Sequence, residues 1–247
     1  MAQRLKLIVA YDGSQFEGWQ SQTHRNTVQD CFERAFHRIA GERLRVHGAG
    51  RTDAGVHALG QCAHVDLPGN KLSADRWLTA LNALLPPAVR VLRCSFVPES
   101  FHARLSAKGK VYRYRLWSAP VLPPFEYGRA WHLTSPLNIA TLQAGVQLFV
   151  GTHDFAAFAA NRDKPEANTR RTINSVRVQR REACLTIEFD GDGFLYRMVR
   201  LMVGALVQCA LGKTSLDEIR KRLISPTATG PRHVAPAEGL FLLRVRY

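Results

Sequence analysis

RLKLIVAYDG, residues 4–13, is an apolar run rich in β-branched residues that ends in Asp-Gly. Such a run is typical of a strand that leads into a turn. Residues 27–41 follow with apolar side chains at helical spacing from Val28 onward, and Thr27 and Gly41 stand where helix caps are expected. The chain therefore begins with a predicted strand and a predicted helix, the first half of a split β-α-β unit.

The order β-α-β-β-α-β is predicted twice along the chain, although the sequence itself does not repeat. This predicts an α+β fold of two ferredoxin-like split β-α-β units related by pseudo-symmetry, with antiparallel sheets that carry helices on one face. We predict an N-terminal α/β half over residues 1–104 and a C-terminal α/β half over residues 105–247. The remaining predicted elements of the first half are strands 44–48, 61–67 and 89–97 and a helix 74–85 capped by Ser73. Those of the second half are strands 110–117, 173–181, 183–191 and 239–247 and helices 137–150, 194–211 and 215–223, the last with a Ser215/Glu218 capping box.

The chain is strongly basic, with 34 Lys and Arg residues against 20 Asp and Glu residues and a formal net charge of +14. Such a surface attracts polyanions, and nucleic acid is the most common of these. No apolar run reaches the roughly 18 residues of a membrane span, and the N-terminal apolar stretch is too short for a signal-peptide core. The five cysteines form no C-x-x-C pair, which argues against a disulfide framework and predicts a cytoplasmic protein.

A glycine-rich stretch, GAGRTDAGVHALGQ, carries a single carboxylate, Asp53. Two interpretations of this residue remain open. Asp53 could bond nearby backbone N–H groups in an Asx-turn, with Gly50 and Gly55 at positive φ. Alternatively, Arg51 and Thr52 could hold an ionised carboxylate in a cleft, because a neighbouring cation lowers the pKa of a carboxyl group.

Common cofactor and metal motifs are excluded by their spacing. The glycine-rich stretch has Val56 and His57 where a P-loop needs Lys and Ser or Thr, and it has Asp53 where a dinucleotide-binding fingerprint needs glycine. Cys62 and His64 lack a second pair at ligand spacing, so we do not expect them to bind zinc. The sequence thus predicts neither a cofactor nor a metal. It also disfavours a metabolic enzyme for a phosphorylated small molecule, which would need one of these phosphate motifs.

Basic and aromatic residues alternate in the predicted strand 110–117. Five basic side chains and no acidic one lie between residues 102 and 125, and Tyr112 and Tyr114 share one strand face. A tyrosine in a basic cleft can stack on an unpaired RNA base, which makes Tyr112 a candidate. For Tyr114 we expect packing in the core. The basic residues are Arg104, Lys108, Lys110, Arg113 and Arg115.

Two arginines, Arg197 and Arg200, lie within the predicted helix 194–211, which is apolar almost all round. An unpaired buried cation is costly, so each of them needs a counter-charge. Asp53 is a candidate partner.

These features occur together in the TruA family of tRNA pseudouridine synthases, which the chain resembles from its first strand to its last. The most specific block is GRTDAGVHA at residues 50–58, and the other blocks follow in the family's order. They are YDGSQFEGWQ at 11–20, FHAR at 101–104, YRY at 112–114, RTI at 171–173, FLYRMVRLMVG at 194–204 and AEGLFL at 237–242.

The resemblance implies conversion of uridine to pseudouridine in the anticodon stem-loop of tRNA, at positions 38, 39 and 40, with an essential aspartate. It implies a homodimer that needs no cofactor or metal and binds RNA in a cleft on the sheet faces away from the helices. It also implies roles for individual residues. Asp53 matches the catalytic aspartate, Tyr112 the tyrosine stacked on the target base, Arg200 the arginine paired with that aspartate, Arg51 an arginine associated with extruding the target nucleotide, and Leu240 an apolar residue of the active site.

A rival interpretation is a non-catalytic RNA-binding module of ferredoxin-like fold, since such folds often bind RNA through their sheets. The aromatic RNP1 pattern of those modules is not found here, because KGKVYRYRL shares only its first two positions. The chain departs from the family in a short loop at residues 161–168, which leaves RNA contacts outside the active site open.

Overall fold

A computed structural model describes residues 3–69, 72–160, 167–225 and 233–247. The described strands are β1 (Gln3–Tyr11), β2 (His47–Gly48), β3 (His57–Leu67), β4 (Val89–Val97), β5 (Gly109–Ser118), β6 (Trp131–Leu133), β7 (Gly151–Asp154), β8 (Arg170–Arg181), β9 (Cys184–Gly191) and β10 (Leu240–Arg246). The described helices are α1 (Val28–Ala40), α2 (Ala74–Leu84), α3 (Ile139–Gln147), α4 (Met198–Ala210) and α5 (Leu216–Ile224).

The chain forms two compact units, Met1–Lys108 together with Phe241–Tyr247, and Gly109–Leu240. The predicted domain boundary between residues 104 and 105 stays a prediction. The structure adds that the C-terminal segment belongs with the first unit, although it follows the second in sequence. Sequence order alone could not show this, because the pairing of β10 joins residues far apart in the chain.

The first unit has the strand order expected for a split β-α-β pair. Strand β1 lies between β4 and β3 and is antiparallel to both, and β2 pairs antiparallel with β3. Strand β10 runs parallel to the beginning of β3, where Phe241 is opposite His57 and Leu242 is opposite Ala58. The predicted α+β class is confirmed, with strands that pair mostly antiparallel.

The core of the first unit lies between its sheet and helices α1 and α2. Alternate residues of β1, among them Leu5, Leu7 and Val9, are fully buried, as the period of a strand with one face on a core requires. The helices meet through the rings of Phe36 and Trp77, whose centroids are 5.2 Å apart. Helix α1 begins and ends as predicted, because the Thr27 side chain accepts a hydrogen bond from the Asp30 N–H and Gly41 has a φ of 78°.

In the second unit, β9 lies between β5 and β8 and is antiparallel to both, and β7 continues the sheet beyond β8. The short strand β6 runs parallel to β5. Strands β6 and β7 were not predicted, because three or four residues are too few to show a period of two. Helices α3, α4 and α5 pack on one another over the sheet.

The structure corrects several predicted boundaries. Helix α4 begins at Met198 rather than at residue 194, because Arg197 has a left-handed φ of 59° that ends the preceding loop. Helix α5 begins one residue after Ser215, whose side chain makes no capping hydrogen bond, so the predicted capping box is wrong. Strand β3 begins at His57 rather than at residue 61, and β2 is only two residues long.

Three further predictions concern the cysteines, membrane-spanning helices and the loop at residues 161–168. All five cysteines are free thiols. Among the described helices, none is both long and apolar enough to cross a bilayer. In the loop expected to be short, residues 161–166 lie outside the described part of the chain.

Candidate active site

The loop that carries Asp53 connects β2 to β3 and ends in a tight turn. The Val56 N–H donates to the backbone carbonyl of Asp53 at 3.1 Å, and Gly55 has a φ of 77°. A turn with glycine at positive φ in its third position is of the type II kind. Backbone groups therefore close this turn. The expectation for Gly55 is confirmed, whereas Gly50 is not among the glycines with positive φ.

The block at residues 11–20 anchors this loop on both sides of Asp53. On one side the Trp19 N–H donates to the carbonyl of Thr52 at 3.1 Å, and the hydroxyls of Tyr11 and Thr52 are hydrogen-bonded at 2.8 Å. On the other side the Gly55 N–H donates to the carbonyl of Phe16 at 3.3 Å. The two most recognisable blocks of the sequence thus pack against each other, and they fix the backbone that carries the half-buried Asp53.

Two glycines of the 11–20 block allow this close approach. A Cβ atom at Gly18 would lie 2.5 Å from the carbonyl oxygen of Thr52, and Gly18 has a φ of 96°. A Cβ atom at Gly13 would lie 2.0 Å from the carbonyl oxygen of Val56. Both positions therefore require glycine for steric reasons.

The side chains next to Asp53 have defined partners. Burial raises the pKa of Tyr11 well above its usual value, so its phenol is neutral and shares a hydrogen bond with the Thr52 hydroxyl. Arg51 is exposed, and its Nε donates to Oε1 of Gln20 at 3.3 Å. That Arg51 and Thr52 keep the Asp53 carboxylate ionised stays a prediction.

The C-terminal strand reaches the start of β3, directly after the loop. The Phe241 ring stacks on the His57 ring with centroids 4.5 Å apart, and Nδ1 of His57 accepts a hydrogen bond from the Gly13 N–H at 3.1 Å. Leu240, a predicted site residue, precedes Phe241 and is buried.

In the second unit, Tyr112 and Tyr114 lie on the same face of β5. Tyr112 is 7% exposed, and its ring meets that of Phe194 edge to face at 5.0 Å. Tyr114 is fully buried, and its hydroxyl donates to the carbonyl of Pro236 at 2.7 Å. The expected core position of Tyr114 is confirmed.

Two of the five basic residues between positions 102 and 125 form ion pairs within the second unit. Arg113 donates from Nε to Oε1 of Glu188 at 2.8 Å. Arg115 donates from Nη2 to Oε2 of Glu126 at 2.6 Å. Strand β5 is therefore less basic than its sequence suggests, because acidic residues from other segments pair with it.

Arg200 lies in the first turn of α4, inside the predicted helix, and is half-buried rather than buried. Its Nε donates to the carbonyl of Ala235 at 2.7 Å, and the Ala235 N–H donates back to the carbonyl of Arg200 at 3.1 Å. Arg197 is exposed and lies 5.0 Å from the centre of the Tyr196 ring, so the expectation that it is buried in the helix is wrong. The pairing of Arg200 with Asp53 stays a prediction.

A group of three histidines anchors the FHAR block and was not predicted from the sequence. His64 is 1% exposed, and its Nδ1 accepts a hydrogen bond from the Ala103 N–H at 3.1 Å. Its ring centroid lies 5.0 Å from that of His47 and 4.6 Å from that of His102. No cluster of three or more His, Cys, Asp or Glu side chains suited to a metal ion occurs in the described ranges.

The buried position of His64 makes the stability of the folded protein sensitive to acid. Burial, and then the charges of Arg4, His102 and His47, lowers the pKa of His64 to about 4, while Asp66 acts in the opposite direction. An unfolded chain protonates this histidine near pH 6.5 and the folded protein resists protonation, so stability falls as the pH drops from about 6.5 to 4. At pH 5 we expect His64 alone to lower the free energy of unfolding by about 2 kcal/mol.

Urea unfolding at pH 8 and pH 5 measures this loss. The control is His64→Asn, whose amide oxygen can still accept the Ala103 N–H but does not titrate. We expect the variant to be less stable at pH 8 and to lose less stability than wild type on acidification. An equal loss in both proteins would contradict the assignment.

Comparison with known proteins shows the family to which this chain is similar in sequence. A family model described as tRNA pseudouridine synthase matches residues 7–105 and 146–247. Proteins named tRNA pseudouridine synthase A are similar along the whole chain. The one from Akkermansia muciniphila is 47% identical over 99% of this chain and 95% of its own length. Those from Methylacidiphilum infernorum and Acetivibrio thermocellus are 43% and 40% identical, each over 98% of this chain and over 94% and 99% of their own lengths.

Among solved structures, an H/ACA RNP bound to a substrate RNA containing 2'-deoxyuridine aligns with 97% of this chain and 46% of its own, at 10% identity. The TM-score of 0.35 is too low to indicate a shared fold. The family model and the full-length relatives are decisive: the chain belongs to the tRNA pseudouridine synthase family.

Proposed function

We propose that this protein converts uridine to pseudouridine in the anticodon stem-loop of tRNA, at positions 38, 39 and 40. Family membership over the full length supports the reaction and the class of substrate. The observation that carries the assignment of the chemistry is the anchored loop, in which hydrogen bonds to the segment 11–20 hold the loop on both sides of Asp53. The net charge of +14 suits a polyanionic substrate.

Asp53 is the proposed catalytic residue. The reaction breaks the bond between C1' of the ribose and N1 of uracil, turns the base and joins C1' to C5. A carboxylate can act as a nucleophile on the ribose or the base, or as a base that removes a ribose proton. The product is an isomer of the substrate and no redox step is involved, so the proposed reaction requires neither a cofactor nor a metal.

Tyr112, Arg51, Arg200 and Leu240 are proposed to bind the substrate, in the roles that the family resemblance implies. Arg51 is exposed on the loop next to Asp53, as a residue that assists extrusion of a nucleotide must be. Tyr112 supplies an aromatic ring for stacking, and Leu240 supplies apolar packing. Arg200 is held by its mutual hydrogen bonds with Ala235, which fix the position of its cation.

Tyr112 offers a test of base stacking, and its burial decides which variant is informative. Because the ring is 7% exposed and packs on Phe194, Tyr112→Ala removes core packing and should destabilise the protein by about 3 kcal/mol. Tyr112→Phe keeps the ring, so we expect normal thermal stability and a tRNA Kd within about twofold of wild type, with slower turnover.

Binding titrations of both variants, read alongside thermal melts, measure these effects. In Tyr112→Ala that is still folded at the assay temperature, we expect tRNA binding to weaken by about 1 to 3 kcal/mol through the lost stacking. Equal losses of affinity in the two variants would argue against stacking.

We also propose a cytoplasmic homodimer. The five free thiols suit a reducing compartment, and the dimer follows from the family resemblance. Light scattering after size-exclusion chromatography would give twice the chain mass of 27.7 kDa. A mass of one chain at micromolar concentration would contradict the dimer.

The direct experiment is incubation with an unmodified tRNA transcript, followed by chemical labelling that maps pseudouridine to single nucleotides. We expect label at the uridines among positions 38, 39 and 40. Tight binding without any label would instead favour the rival function, a non-catalytic RNA-binding module.

A further inference from the structure

A chain of hydrogen bonds runs from helix α1 of the first unit to Arg51. Nε of Arg51 donates to Oε1 of Gln20 at 3.3 Å, and Nε2 of Gln20 donates to Oε1 of Gln29 at 2.9 Å. Nε2 of Gln29 then donates to Oε1 of Glu33 at 2.8 Å. Gln29 and Glu33 belong to helix α1, so the Gln20 side chain alone connects this helix to the cation beside Asp53.

Backbone groups fix the direction of this chain. The Ser21 N–H donates to Oε1 of Gln29 at 2.9 Å, and the Val46 N–H donates to Oε1 of Glu33 at 3.2 Å. A backbone N–H can only donate and a carboxylate can only accept, so the Gln29 amide must direct its oxygen toward Ser21 and its NH2 group toward Glu33. Gln20 must then direct its own NH2 group toward Gln29 and its oxygen toward Arg51.

The inner part of this hydrogen-bond chain is buried, and its outer end is exposed. Gln29 is 4% exposed in the first turn of α1, and its backbone N–H donates to the carbonyl of Trp19 at 3.0 Å. Gln20 is half-buried, and Arg51 is exposed. An exposed arginine side chain samples many rotamers and loses conformational entropy when it binds RNA in one of them. A fixed hydrogen-bond acceptor at Nε restricts the guanidinium before RNA binds, so less entropy is lost on binding.

We infer that Gln20, oriented by Gln29 and Glu33, is a positioning residue that fixes the direction of the Arg51 guanidinium. The inference rests on the proposed function, in which Arg51 assists extrusion of the target nucleotide. The bond uses Nε, so the two Nη groups of Arg51 can reach the RNA. Gln20 acts through Arg51 and does not itself take part in the reaction.

Three single variants test the acceptor at Gln20 in single-turnover assays with a tRNA transcript. Gln20→Leu removes the acceptor, and we expect the rate to fall about three- to tenfold. Gln20→Glu still accepts from Arg51, but it loses the donor to Gln29 and turns a carboxylate oxygen toward Oε1 of Gln29, so we expect a rate between those of Gln20→Leu and wild type. The matched control is Gln22→Leu, because Gln22 is exposed in the same segment and donates to the carbonyl of Glu17 instead. We expect it to behave like wild type.

A double-mutant cycle shows whether Gln20 acts through Arg51. We expect Arg51→Met to be slower than wild type and the pair Gln20→Leu/Arg51→Met to be no slower than Arg51→Met alone. Multiplied effects in the pair, a wild-type rate in Gln20→Leu, or no effect of Arg51→Met would each overturn the inference. Wild-type protein that makes no pseudouridine would instead refute the proposed function, so the two failures are distinguishable.

Discussion

Asp53→Asn is expected to lower the rate of pseudouridine formation at least about 10⁴-fold while the protein folds and binds tRNA normally. Asparagine has nearly the same size, and it can serve as well as aspartate in an Asx-turn. The turn itself is closed by the Val56 N–H and the backbone carbonyl of Asp53, which the substitution leaves in place. A neutral amide cannot act as a nucleophile or as a base, so only the chemistry should be lost.

Thermal melts and tRNA-binding curves of the same sample separate chemistry from folding. The matched control is Asp75→Asn, since Asp75 is exposed in the first turn of α2 and changes charge in the same way. We expect this control to retain the wild-type rate. A similar loss of rate in both variants would mean that net charge, rather than the Asp53 carboxylate, is responsible.

Gly18→Ala is expected to disrupt the anchoring of the loop. The new Cβ atom would lie 2.5 Å from the carbonyl oxygen of Thr52, and the φ of 96° is unfavourable for alanine. Since the obstacle is backbone, the loop that carries Asp53 must move. We expect a loss of about 3 kcal/mol in the free energy of unfolding, together with loss of activity in the protein that remains folded.

Gly41→Ala is the matched control for this prediction. Gly41 also has a positive φ, of 78°, but no atom lies within 4 Å of the position of its Cβ. Only the backbone strain applies there, so we expect a cost of about 1 kcal/mol and normal activity. Urea unfolding and single-turnover assays measure both effects. Equal results for the two variants would contradict the anchoring role of Gly18.

Much of the fold could be predicted because its elements carry local signals. Helix α1 has an apolar face and recognisable caps at Thr27 and Gly41, and β1 alternates between buried and more exposed residues. The left-handed conformation of Arg197, which delays the start of α4, has no such signal, because arginine usually continues a helix. The pairing of β10 with β3 depends on contacts between distant segments and could not be found from periodicity.

In the candidate site, too, single residues could be identified from the sequence, whereas contacts between distant segments could not. Asp53 could be singled out because a lone carboxylate among glycines is unusual, and the blocks around it identify the family. The bond between Tyr11 and Thr52 joins residues 41 positions apart, and Arg113 pairs with a residue 75 positions away. Such contacts exist only once the chain has folded, so the sequence could predict neither the anchoring of the loop nor the ion pairs of Arg113 and Arg115 in β5.

Tritium release from tRNA labelled at C5 of uracil tests the central claim most directly, because formation of the new bond between C1' and C5 must expel the hydrogen on C5. Wild-type protein should release tritium from each target uridine, and Asp53→Asn that melts and binds tRNA like wild type should release none. Release by that variant at a rate close to wild type would contradict the claim that the Asp53 carboxylate performs the isomerisation.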